Sequence, residues 1–465
     1  MNRDQRLVIT IAVLASFVSF LDGTIVNVAL PAISKELGGG ITTQQWVVDA
    51  YLITLGSLIL VAGSVSDLYG RILVMRIGLI AFGVTSLAIA LAPNAGFLIV
   101  ARGVQGIAGA LLVPSALALI TSNFRGAAQG RAIGIWTGMA SVAMIAGPLL
   151  GGVFVDLLSW RWAFVINVVP IAVTLVLLVI LGHTDNRRAG IRIDFPGAIL
   201  CTLGLGGPVY ALIEQGRLGW SHPAIYLSMG LGIAAFVGFL VRERYAAEPV
   251  MPLSLFRVRN FWSGNVATAL IYGALALNGF VVVVYLQRDD GPNFPATLAG
   301  LASLPITIIM ILFSSRVGAL SGRFGPRLFM TVGPVLMGLA ALLLLTVSPD
   351  FSYWTQVLPS ILLFGVGLTL TVSPLTSAIL GSIETERSGI ASAVNNAVSR
   401  VAGLIVIAML AVIVGGDSVD LAGFHRAAIV TAVLMIAGGL VSLAGIRNPA
   451  PTEGDAEDAP AETAR

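Results

Sequence analysis

Apolar runs of about twenty residues, broken by short polar stretches, recur from one end of the chain to the other. They fall near residues 7–32, 45–66, 73–92, 97–120, 131–156, 162–182, 195–215, 223–241, 261–286, 296–319, 328–347, 355–380, 389–414 and 426–446. At about 1.5 Å per residue, such a run reaches across the roughly 30 Å hydrocarbon layer of a bilayer as a helix. The pattern therefore predicts an all-α integral membrane protein with fourteen spanning helices. An even number places both termini on one side. The first run is too long for the apolar segment of a signal peptide, so no cleaved signal is expected.

Composition agrees. Of 465 residues, 57% are hydrophobic and 11% are charged, and the mean hydropathy is +0.95. Soluble domains carry about 25% charged residues, so this chain lacks the surface charge of a soluble globule. The single cysteine, Cys201, excludes an internal disulfide framework and a multi-cysteine metal site. The single lysine, Lys35, is followed by Glu36, so no phosphate-binding Gly-Lys-Ser/Thr loop exists and ATP-driven pumping is not expected. His183, His222 and His425 are far apart and form no metal pair. No cofactor, metal or nucleic acid is expected. Of the 26 basic residues, nineteen lie on the side of the termini and five on the other. Basic loops stay inside, so both termini are expected in the cytoplasm of a cell whose plasma membrane the chain spans many times.

The stretch Gly63-Ser-Val-Ser-Asp67-Leu-Tyr-Gly70-Arg71 after the second run returns 255 residues later as Gly318-Ala-Leu-Ser-Gly322-Arg323-Phe-Gly325. The chain thus reads as a repeat. Residues 1–182 form one six-helix bundle, 261–446 form the other, and 183–260 hold two inserted helices. Two such halves are a transporter architecture with its site between them. Residues 447–465 are acidic and Pro/Ala-rich, and a disordered tail is expected there.

Charges inside the membrane are costly and mark function by default. Three fall in the first half: Asp22 in helix 1, Asp49 in helix 2 and Arg102 in helix 4. Counted along their runs, all three lie in the outer half of the membrane, Asp49 shallowest and in reach of water. A carboxylate there can exchange protons, with Arg102 as its counter-charge. A static ion pair that fixes packing is the other reading. In the second half every acid falls in a predicted loop or helix end, and Arg400 in helix 13, after Asn395 and Asn396, is the one mid-membrane charge. Arg400 is expected to meet an anionic substrate group, to reach Asp22 or Asp49, or to bond helix carbonyls.

Helix 5 carries Gly147, Pro148, Gly151 and Gly152, small residues at a spacing that lets helices approach, with a proline that removes a backbone hydrogen bond. A sealed contact that hinges is expected. Gly63 and Gly70 are read as a tight turn in which Asp67 and Arg71 latch neighbouring helix ends. Trp46, Tyr51, Trp136, Met139, Met144, Phe280 and Tyr285 are candidates for an adaptable cavity wall, against the plainer reading of packing or lipid contact.

These strings resemble the major facilitator superfamily, and within it the fourteen-helix drug:proton antiporter branch. The carriers are Leu21-Asp22-Gly-Thr24-Ile-Val-Asn27-Val-Ala-Leu30-Pro31, Gln45-Trp46-Val-Val-Asp49-Ala-Tyr51, Gly63 to Arg71, Arg102-Gly-Val-Gln105-Gly106, Gly147-Pro148 to Gly152, and Glu214 with Gly219-Trp220. The resemblance spans residues 7–446. It implies a major facilitator fold of two six-helix bundles plus two inserted helices, alternating access, proton-motive force and export of small amphipathic compounds. It assigns Asp22 and Asp49 to protons and cationic substrates, Arg102 to their coupling, and Asp67 and Arg71 to the conformational change. Leu68 stands where the loop motif often has arginine. Members that export dications often carry carboxylates in helix 13, where this chain has Asn395, Asn396 and Arg400, so neutral, monocationic and anionic substrates stay open.

The leading expectation is a monomeric proton-coupled antiporter exporting drugs or antibiotics, with Asp22, Asp49, Trp46, Tyr51, Trp136, Met139, Asn395, Asn396 and Arg400 around its substrate. Export of a lipid or anionic metabolite through Arg400 is the alternative. A non-transporting membrane sensor is the reading from another class. No nucleophile–base or metal constellation suggests an enzyme.

Overall fold

The computed structural model describes residues 3–182, 193–246, 249, 251–384 and 387–448. Arg187, Arg188 and Arg192, all but two residues of the acidic tail, and Glu386 lie outside them. Fourteen long helices follow one another: α1 (Arg3–Leu37), α2 (Gly40–Tyr69), α3 (Arg71–Ala90), α4 (Ala95–Asn123), α5 (Gly126–Leu157), α6 (Trp162–Leu181), α7 (Phe195–Leu218), α8 (Pro223–Tyr245), α9 (Arg259–Leu286), α10 (Ala296–Phe324), α11 (Pro326–Thr346), α12 (Tyr353–Leu380), α13 (Ser388–Ala408) and α14 (Leu421–Gly445). Thirteen are long and apolar enough to cross a membrane by their described residues, and α5, 32 residues long, is described over the apolar stretch Ala146–Leu157. This is a multi-pass membrane protein.

Connections are short where glycine permits. A single residue, Gly70 at φ +102°, joins α2 to α3, and Gly325 at φ +82° joins α10 to α11. These turns stand 255 residues apart, so the sequence repeat reappears as one backbone device. Both need a residue without a Cβ, since positive φ strains any L side chain. Gly63, expected in the turn, is instead helical: α2 runs on through Tyr69, and a Cβ on Gly63 would meet open space.

Helices start and stop for local reasons. Asn94 accepts from the Phe97 N–H at the start of α4, Asp194 from Gly197 N–H at α7, and Asp420 from Gly423 N–H at α14, each satisfying a donor that the first turn leaves free. Two breaks matter. Helix α6 loosens at Asn167, between Trp162–Val165 and Val168–Leu181, and α13 stops at Met409 before a short continuation, Leu410–Val414.

At the end opposite the termini, here the far end, one continuous apolar core joins the two halves. Ile25, Leu30 and Val47 share it with Leu277, Ala299, Ile361 and Phe424. Toward the terminal end the core divides. One part fills α1–α4 and α6, and two others lie among α9 and α11–α14. The inserted pair α7–α8 packs on α2 and α13, through Cys201, Leu205 and Val209 against Ile53 and Leu404.

Candidate functional site

Asp22 sits in the middle of α1 with no exposed surface, and Arg102 on α4 is 1% exposed. They form an ion pair of 2.6 Å between Arg102 Nη1 and Asp22 Oδ2. The other carboxylate oxygen, Oδ1, accepts from Gln105 Nε2 at 3.2 Å and Asn167 Nδ2 at 3.1 Å. Both amides also reach Ser86 Oγ on α3. Gln105 follows Arg102 by three residues, so the same face of α4 presents both to α1. Asn167 reaches in where α6 loosens. Arg102 makes two further bonds within the site: Nε donates to the Val47 carbonyl of α2 at 2.9 Å, and Nη1 to the Gln105 side-chain carbonyl oxygen at 2.6 Å. Its guanidinium lies over the Tyr51 ring at 4.4 Å, and the Tyr51 hydroxyl pairs with Ser19 at 3.1 Å. Five helices meet in one buried, hydrogen-bonded network.

Asp49 differs. It too has no exposed surface, but neither carboxylate oxygen has a hydrogen-bond partner among the described residues. The apolar run placed it near the membrane surface and within reach of water. That is corrected: α2 begins at Gly40, because the polar residues Thr42 to Gln45 are helical, and Asp49 is its tenth residue. Nor does Asp49 share a bond with Arg102, which spends its bonds on Asp22, Gln105 and Val47. One helical face of α2 carries Gln45, Asp49, Ile53 and Gly56, and this face meets α13. Gln45 Nε2 donates to the Ile407 and Ala408 carbonyls at 2.7 and 3.0 Å, where α13 breaks. A Cβ on Gly56 would lie 3.7 Å from Arg400 Cβ.

Arg400 is half-buried in mid-helix and makes no ion pair or hydrogen bond among the described residues, so it reaches neither Asp22, Asp49 nor a carbonyl. Asn395 turns away from the α2 seam to bond Asn265 and Thr268 of α9 at 3.2 and 2.8 Å. Asn396 is exposed and bonds the Ser392 carbonyl.

Several expected cavity residues have other work. Trp46 donates to Glu214 of α7 at 2.9 Å, and Tyr51 is buried behind Arg102. Trp136 donates to Ser16 at 2.8 Å, and Met139 packs on the core of the first six helices. Phe280 and Tyr285 belong to the far-end core. The Met144 side chain lies outside the described residues. Glu214→Ala is expected to lower the melting temperature, since an unsatisfied buried N–H costs about 1–3 kcal/mol, without changing substrate affinity. A shifted affinity at unchanged melting temperature would return Trp46 to the cavity.

Asp67 and Arg71 pair at 3.0 Å across the Gly70 turn, and Arg71 Nη1 bonds the Ala118 carbonyl of α4. In α5, a Cβ on Gly147 would lie 2.9 Å from Thr24 Cβ, and one on Gly151 2.8 Å from Ile25 Cγ1, so these glycines let α5 touch α1. Gly152 meets α10 instead: its Cβ would stand 2.7 Å from Ala296 O and Thr297 N. A Cβ on Gly300 would lie 2.9 Å from the carbonyl carbon of Pro148. One turn on, the Asp156 carboxylate accepts from the Ala296 and Thr297 N–H groups at 2.9 and 2.8 Å, closing the first turn of α10 from across the halves. In the α9–α10 turn, hydrogen bonds from Arg288 hold the Asp290 carboxyl below its ordinary pKa.

The model of the family described as Major Facilitator Superfamily matches residues 12–407. The chain belongs to that superfamily. Curated relatives carry drug-resistance names. The multidrug resistance protein Stp of Mycobacterium tuberculosis (strain CDC 1551 / Oshkosh) is 34% identical over 88% of this chain and 76% of its own length. The puromycin resistance protein pur8 of Streptomyces alboniger is 33% identical over 85% and 79%, and the methylenomycin A resistance protein of Bacillus subtilis is 32% identical over 88% and 87%. Among solved structures, a POT family transporter in complex with a thioalcohol-conjugated peptide superposes at a TM-score of 0.70 with 14% identity, covering 95% of this chain and 96% of that one. At that identity the likeness is of fold.

Asn167, Ser86 and Asp156 have no role assigned from the sequence, and Gln45, Gln105 and Glu214 stand in motifs without one. Uncharged polar residues inside apolar runs were the available signal, since each needs a partner in the membrane.

Proposed function

We propose that this chain is a proton-coupled exporter of small amphipathic compounds, working by alternating access. The observation that carries the proposal is the contrast between two carboxyl groups in one half. Asp22 is fully bonded, while Asp49, at the seam between α2 and α13, has no donor against either oxygen among the described residues. A carboxyl tied to a guanidinium and two amides is held in place, whereas one without a donor has no bond to break when a proton comes or goes. Two carboxyl groups so differently held, one beside the contact between the halves, are what proton exchange coupled to movement needs. The drug-resistance names of the relatives support the substrate class.

In this reading the terminal end is cytoplasmic, as the arginine bias of its loops predicts. The far-end core then seals the outer side, and α1–α6 and α9–α14 move as two bodies about it. Asp67, Arg71 and the Gly147–Gly152 contacts set the two end states. The driving force is about 2.3 kcal/mol per charge per 100 mV.

Everted vesicles with an acid interior and a pH-sensitive dye test this. Cationic, neutral and anionic amphiphiles are added one at a time. At least one is expected to collapse the gradient in vesicles with the protein and not in vesicles without it. If none does, a sensor role takes precedence.

A further inference from the structure

Arg400 is the thirteenth of the 21 residues of α13, far from both ends of the helix. A charge at that depth needs a counter-ion or a wet surface. Among the described residues no acid pairs with it. Asp22 is taken by Arg102, Gln105 and Asn167, and the described acids after residue 261, from Asp289 to Asp420, all lie outside the helices. Asp49 is buried and has no hydrogen-bond partner among the described residues. Across the seam lies Gly56 of α2, where an added Cβ would stand in ordinary contact with the Arg400 side chain, 3.7 Å from its Cβ.

The helical register of α13 says which way this stripe faces. Asn395 and Ala402 touch α9, through Asn265, Thr268 and Gly273, while Val401 lies against Gly56 of α2. Asn396 and Arg400, four residues apart, share the stripe between these two contacts. That stripe faces the gap between the halves. Asn396, one turn nearer the terminal end, is exposed there, and Arg400 is half-buried. The chain therefore presents to the space between its halves a guanidinium with no ion pair or hydrogen bond among the described residues, with the Asn396 amide one turn away.

We infer that Arg400 receives the acidic group of the transported compound, so that the substrates of this exporter include small aromatic or alicyclic acids bearing one carboxylate, sulfonate or acidic phenol. The inference rests on the exporter reading and narrows it. The acid supplies the counter-ion that no described side chain provides, and its apolar body lies in the gap between the halves. A guanidinium suits this role because it stays charged and offers paired donors to a planar anion.

A matched pair of dyes separates charge from shape. Fluorescein and rhodamine 6G share a tricyclic aromatic body, and at neutral pH the first is an anion and the second a cation. Binding of each to purified full-length protein in detergent is read by fluorescence anisotropy, beside the melting temperature. Wild type is expected to bind fluorescein. Arg400→Gln is expected to weaken it by roughly ten- to a hundredfold, the value of a hydrogen bond to a charged group, with rhodamine 6G unchanged or tighter. Arg400→Lys is expected to restore part of the loss. No fluorescein binding by wild type, equal fluorescein affinity in wild type and Arg400→Gln, or equal loss of both dyes would each overturn the assignment. Charge-selective binding without transport in vesicles counts against the exporter reading and leaves the acid site standing.

Discussion

Asp22→Asn is expected to stop the proposed proton-driven exchange in everted vesicles, to below about one-hundredth of the wild-type rate, while the protein still inserts and can be purified. Asparagine keeps the shape of aspartate, so its carbonyl oxygen can still accept from Gln105 and Asn167, which hold Asp22 Oδ1. What goes is the anion opposite Arg102, whose Nη1 lies 2.6 Å from Asp22 Oδ2. Breaking a buried pair from one side costs about 3–5 kcal/mol, because the remaining charge has no partner. Here the loss is moderated, since Arg102 keeps Val47, Gln105 and the Tyr51 ring. The melting temperature therefore falls but a folded protein remains. Exchange at the wild-type rate in this variant would remove Asp22 from the proton path. Arg102→Ala, which leaves the carboxylate as the stranded partner, is the harsher change and is expected to lower the yield of folded protein as well.

The fold was legible because lipid imposes a coarse and repeated rule. Every run of about twenty apolar residues became a helix, including the two inserted ones, and the 255-residue repeat surfaced as the twin turns at Gly70 and Gly325. The ends of the helices were less legible. Polar residues such as Thr42 to Gln45 end an apolar run without ending a helix, and this hid the depth of Asp49. The pairing of Asp22 with Arg102 was anticipated as a chemistry and not as a contact, since depth along two helices does not fix which faces meet. The partners of the aromatic residues were hidden for a related reason. Trp46 and Tyr51 occupy positions that composition alone cannot tell from a cavity wall, and only packing turns one toward Glu214 and the other behind Arg102. The POT structures share this fold at 14–16% identity. A fold shared at that distance frames a site without naming its substrate.

Gly152→Val is expected to abolish transport by a different route, with substrate binding retained. The Cβ of any residue here would stand 2.7 Å from Ala296 O and Thr297 N, and both are backbone atoms at the start of α10 that cannot rotate away. Gly300 makes the matching approach to Pro148 from the other side, and Asp156 bonds the same two N–H groups, so α5 and α10 fit together at the far end along more than one turn. Overpacking of this kind costs about 1–3 kcal/mol, and it acts only on the state in which the far end is closed. A two-state equilibrium then shifts by roughly 5- to 150-fold toward the far-end-open state. Transport needs both states, so it fails when one is lost. The check is a single cysteine at Val28 in a Cys201→Ser background, probed with a membrane-impermeant maleimide from the far side. Val28 is buried in the closed structure, where it packs with Val283 and Ala296. Labelling is expected to be slow in the parent and many times faster with Gly152→Val. Unchanged labelling together with lost transport would mean that the glycine serves substrate passage and not the seal.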